Sequence, residues 1–125
     1  MSWDLAVWEG EQPASSEEAA EHFQELMEAY EEQLDNEPRD PPNPRLGAFL
    51  DALVERLPDD PAVEPPSNPW AFMPLREEAS GPIAMLHVVW SQVDVVLSVV
   101  PALAREHGLV CFDLQEEAVL SGKLF

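Results

Sequence analysis

Three histidines, one cysteine and 25 carboxylates are the groups in this 125-residue chain that could do acid–base, nucleophilic or metal chemistry. His22, His87 and His107 are far apart in sequence. None has a second histidine at i+4 and no Cys-x-x-Cys pair is present, so the spacing of a metal site is missing. Cys111 lies inside the apolar run LVCFDL with no basic neighbour to favour a thiolate, and it reads as a buried structural cysteine. Nearly all of the carboxylates lie in hydrophilic runs, whereas a general acid requires an apolar pocket to raise its pKa. Asp113, flanked by Phe112 and Leu114 at the end of a strand, is the exception considered for that role. At a strand end, Asp113 reads first as a turn former or helix cap. No glycine-rich phosphate loop or nucleophile elbow occurs. These residues give no catalytic assignment, no metal site and no cofactor.

The acids themselves carry the stronger pattern. Residues 15–38 hold nine carboxylates and no Lys or Arg. Glu17, Glu21, Glu25, Glu28, Glu32 and Asp35 follow spacings of 4, 4, 3, 4 and 3, which is one stripe on a helix. Like charges at these spacings cost about 0.2–0.5 kcal/mol per pair, and a Lys at i+4 would reverse the sign. Glu31, Glu32 and Asp35 also fall at the helix end where the dipole disfavours negative charge. A face for a basic protein, general acidity for solubility or high salt, and a tolerated cost are the three explanations. The six stripe residues are the candidate partner-binding site.

The elements that must position these groups follow from periodicity. WDLAVW (3–8) alternates as a strand. Ser15 and Glu18 have capping-box spacing and open a helix over 16–35. Its apolar stripe is Ala20, Phe23, Met27, Tyr30 and Leu34. After NEPRDPPNP, Asn43 and Pro44 start a second helix over 44–57 with Leu46, Phe49, Leu50, Leu53 and Leu57 inward. The acidic, proline-rich 58–69 is a surface crossover. WAFMPL (70–75) and PIAMLHVVW (82–90) read as a hairpin joined by REEASG. A third helix is expected over 92–107, against the strand preference of its valines and despite Pro101. LVCFDL (109–114) is a last strand, and 115–125 is a tail.

The order β-α-α-β-β-α-β predicts one α+β domain over residues 1–125, a ferredoxin-like sandwich with its helices packed mainly on one face. In that arrangement 83–90 poses a problem. Ile83, Met85 and Val89 alternate with Ala84, Leu86, Val88 and Trp90, so both sheet faces are apolar and both need a cover. The tail, a partner or a second subunit forming a homodimer would supply the second one. His87, Trp90, Trp8 and Asp113 would line a small-ligand or cofactor-free enzymatic pocket between sheet and helices in the alternative reading.

The bulk numbers bound the partners. A net charge of −19 repels nucleic acid and anionic lipid and attracts basic proteins. No apolar run reaches the ~20 residues of a membrane span. MSWDLAVWEG lacks the basic start of a signal peptide, and one cysteine permits no internal disulfide, so a cytoplasmic protein is expected.

Three stretches, WDLAVWEGEQP, NPWAFMPLREEASGP and AREHGLVCFDLQ, resemble a group of small acidic bacterial proteins of actinobacterial type, some of them candidate immunity proteins. The resemblance implies a non-enzymatic cytosolic binding protein that occludes a basic toxin or effector domain, and it implies no catalytic residue.

Overall fold

The computed structural model describes residues 2–10, 13–34, 41–60, 62, 68–71 and 75–120. Alternation makes Ser2–Glu9 the central strand, β1. It is flanked on both sides by antiparallel neighbours, β3 (Ile83–Val89) and β4 (Leu109–Asp113). Leu5 stands opposite Leu86 on one side and Asp113 on the other. Two short edge strands complete the sheet. β2 (Ala79–Ser80) pairs with β3 and β5 (Ala118–Leu120) with β4, giving the order β2-β3-β1-β4-β5.

The three expected helices are α1 (Ser16–Leu34), α2 (Pro44–Arg56) and α3 (Val93–Glu106). Ser15 Oγ accepts from the Glu18 N–H at 3.1 Å, as the capping signal required, and Glu18 Oε2 accepts from the Ala14 N–H at 3.2 Å. In α3, Pro101 cannot donate to the carbonyl of Leu97. Burial of Val96, Val100, Leu103 and Ala104 outweighs that loss and the valines' strand preference.

The fold class is α+β, and the finer arrangement differs from the expected one-sided ferredoxin-like sandwich. Among the described residues the sheet has five strands, and helices cover both of its faces. Leu5, Val7, Leu86, Val88, Leu109 and Cys111 point toward α2 and α3. Ala6, Trp8, Ile83, Met85, Val110 and Phe112 point the other way, where α1 packs on them with Ala19 and Tyr30 buried and Phe23, Leu26 and Met27 half-buried. The second apolar face is therefore covered mainly by α1, with Leu114 and, from the expected tail, Val119 packed against the same cluster.

Among the described residues of 70–75 no continuous strand is formed. Trp70 makes a single bridge to Val88, residues 72–74 lie outside the described residues, and Leu75–Glu78 is a 3-10 turn. The Ala71 N–H donates to the His87 carbonyl and the Val89 N–H to the Pro69 carbonyl, both at 2.8 Å, so the segment touches β3 briefly, while the buried Trp70 indole donates to the Leu57 carbonyl at 2.8 Å and ties it to the end of α2. The edge position is taken by Ala79–Ser80, turned back into β3 at Gly81, whose φ of +57° suits glycine. Part of the expected tail, 118–120, is β5.

Candidate cation-binding face on the first helix

Glu17, Glu21, Glu25, Glu28 and Glu32 are all exposed, on the side of α1 opposite Ala19, Phe23 and Tyr30. Asp35, the sixth residue of the stripe, lies outside the described residues. Among the described residues no Lys or Arg comes within ion-pair distance of the five. Their one basic neighbour is His22, with Nδ1 3.8 Å from Glu25 Oε2. The helix keeps its like charges at i, i+3 and i+4 with no basic residue to offset them.

The stripe runs into a groove of about 510 Å³ between the first half of α1 and the end of β1, where Trp8, Glu9, Glu18, Glu21, His22 and Glu25 form the walls. The Trp8 indole fills the floor, stacked on Phe23 (centroids 6.1 Å apart, planes 29° apart) and edge-on to His22 at 5.9 Å. Glu9 comes from the last position of β1. Its Oε2 accepts from Asn43 Nδ2 at 3.3 Å, and its Oε1 is buried with no hydrogen-bond partner. Four carboxylates around one concavity give it the charge to accept hydrogen bonds from a positive side chain.

His87, Trp90, Trp8 and Asp113 are not brought into one pocket. His87 is on the α1 side of the sheet, where its Nδ1 is 2.8 Å from Asp4 Oδ1 and its Nε2 3.9 Å from Glu78 Oε2. Trp8 is buried under α1. Asp113 is buried on the opposite side. Its Oδ2 accepts from Trp3 Nε1 at 3.2 Å, and its Oδ1 accepts from the Gln115 and Glu116 N–H groups at 2.9 and 3.2 Å and from Gln115 Nε2 at 2.8 Å. That is the turn-forming role its position suggested. Cys111 is buried, and burial first, then the nearby Asp113 charge, pushes its thiol up to about 12. His107 follows α3, edge-on to Phe49 at 6.1 Å.

Among the described residues no group of three or more His, Cys, Asp or Glu side chains is placed to hold a metal, and no helix is long and apolar enough to cross a membrane. Glu9 and Glu18 were not singled out by sequence reasoning as parts of a surface. Glu9 reads as the end of a strand and Glu18 as a cap, and only folding places both beside Glu21 and Glu25. Comparison with protein-family models, curated proteins and solved structures finds no match.

Proposed function

We propose that this is a non-enzymatic binding protein that occludes a basic surface of another protein, in the manner of an immunity protein against a toxin or effector domain. One observation carries the reading: five exposed carboxylates on one face of α1, without a Lys or Arg partner among the described residues, lead into a groove with two further carboxylates in its wall. Such a surface accelerates encounter with a basic partner and rejects acidic ones. The net charge of −19 acts in the same direction over longer range. The resemblance to small acidic bacterial proteins agrees with it. The small-ligand reading loses support because His87, Trp8, Trp90 and Asp113 do not share a cavity, and a homodimer across the second sheet face loses it because α1 occupies that face. The reading predicts a basic toxic domain encoded beside this chain, and the test is association with such a neighbouring product, followed as a function of ionic strength. Binding that slows steeply with salt supports the reading, and no binding at low salt overturns it.

A further inference from the structure

We propose that the end of the sheet built from Trp3, Trp90 and the turn between β4 and β5 is a second docking point, and that its occupant is an arginine or lysine side chain of a basic protein. Trp90 directly follows β3 and is 48% exposed, and Val95 is the other large apolar residue left exposed among the described residues. An exposed indole exposes apolar surface to water at a cost, and tryptophan is enriched among residues that anchor interfaces. This one also packs against a second ring. Its ring meets Trp3 edge-on, with centroids 5.0 Å apart and planes at 84°, and the Trp3 indole in turn donates to the buried carboxylate of Asp113. A side chain that is already packed loses less freedom on binding.

The surroundings select the charge of the occupant. The Asp113 carboxylate that anchors Trp3 also accepts the N–H groups of Gln115 and Glu116, so the 114–117 turn is held next to the tryptophan pair with Glu116 and Glu117 exposed. Asp94 is exposed in the first turn of α3, which continues directly from Trp90. Among the described residues none of these three acids makes an ion pair. An exposed indole with acidic residues on the helix start that follows it and on the turn tied to its ring neighbour attracts a cation through both the ring quadrupole and the charges, and a guanidinium can stack and hydrogen-bond at once. A second copy would bring −19 against −19, and an apolar partner would strip water from three carboxylates without replacing it. Trp3 and Asp113 lie on the α2–α3 side of the sheet and α1 covers the other, so this point is distinct from the acidic stripe. It shares with the proposed function only the sign of the partner's charge.

A hexa-arginine peptide titrated into the whole chain, with the tryptophan indole N–H resonances followed by NMR, tests it. The Trp90 and Trp3 signals should shift saturably while that of buried Trp70 stays in place. Trp90→Ala should weaken the response at this site by about five-fold or more, and Trp90→Phe should keep most of it, as a cation–ring contact requires. The triple variant Asp94→Asn, Glu116→Gln, Glu117→Gln should weaken it without touching the core, which keeps the test decisive if Trp90→Ala folds poorly. Replacing Glu21, Glu25, Glu28 and Glu32 by Lys should abolish any response at Trp8, in the α1 groove, and leave the Trp90 response present, so the two sites fail separately. An unmoved Trp90 signal, equal binding by Trp90→Ala and the triple variant, an equal shift with an uncharged apolar peptide, or a Trp90 signal that moves with protein concentration alone would each overturn the proposal. The last of these would make the occupant a second copy.

Discussion

Asp4 and His87 face each other across β1 and β3, with Asp4 Oδ1 2.8 Å from His87 Nδ1. They occupy the α1 side of the sheet, one pair beyond Ala6 and Met85. Glu78, from the 3-10 turn, approaches the other ring nitrogen at 3.9 Å. The contact joins the two central strands and draws the edge segment toward them. His87→Ala should destabilise the fold by about 1 kcal/mol, the usual scale of a half-buried polar contact, measured by chemical denaturation. A much larger loss would show that the imidazole supports more of the 75–80 edge than these contacts account for.

The buried Asp113 carboxylate gathers four donors from Trp3, Gln115 and Glu116. Asp113→Ala removes that acceptor and leaves the Trp3 indole and the turn amides to find water. A loss of about 1–3 kcal/mol is expected, with a change in the Trp3 environment visible in near-ultraviolet circular dichroism. Asp113→Asn, which keeps an oxygen but replaces the other with a donor, should recover part of the loss.

Leu50 is buried between α2 and the sheet, in the cluster that holds Leu5, Leu53 and Leu86. Leu50→Ala should cost about 2–5 kcal/mol in thermal or denaturant unfolding. A loss under about 1 kcal/mol would mean that α2 can collapse onto the space, placing it at the margin of the core rather than within it.

Cys111 gives a prediction in pH. Its thiol is raised from 9.0 to about 12, so above pH 9 the unfolded chain releases a proton that the folded chain retains. Stability must then fall as pH rises from about 9 toward 12, with a limiting slope of about 1.4 kcal/mol per pH unit. Cys111→Ala should show a shallower alkaline loss than wild type. The native thiol should also resist iodoacetamide at pH 8 and react once unfolded.

Sequence periodicity located β1, β3, β4 and all three helices because each has a face repeated often enough to exceed local noise. The stripe of α1 was legible for the same reason: the exposed Glu17–Glu32 set is the complement of its apolar one. Residues 70–75 were misread because a short apolar run looks alike in a strand and in a buried segment. There residues 69–71 touch β3 only briefly and the Trp70 indole bonds to Leu57, a contact that no local pattern encodes. β5 has three residues, too few to show an alternation. The need for a cover on both faces was legible in the doubly apolar β3, but a helix was not expected on the second face, because which element supplies that cover depends on where α1 crosses the sheet. The groove at Glu9 and the contact of Trp3 with Asp113, 110 positions apart, exist only in the folded chain.

The acidic face of α1 can be tested by reversing its charge. Glu21, Glu25, Glu28 and Glu32 are exposed and oppose the side that packs on Trp8 and Phe112, so replacing all four by Lys removes no core contact. The variant should fold, because Lys is as good a helix former as Glu and its charge is favourable toward the helix C-terminus. Lys at 21 faces Glu17 and Glu18, and Lys at 28 faces Glu31, which turns these three like-charge pairs into opposite ones while the 21–25, 25–28 and 28–32 pairs stay like-charged. Its denaturation midpoint should equal or exceed that of wild type. Association with a basic partner should slow by an order of magnitude or more, since steering by a charged face acts mainly on the on-rate, and the wild-type rate should drop as salt shortens the range of the field. Stopped-flow association at low and high ionic strength separates the cases. Slow binding by a stably folded four-Lys variant is the expected result. Equal on-rates for the two proteins, or a wild-type rate indifferent to salt, would reduce the stripe to a solvated surface.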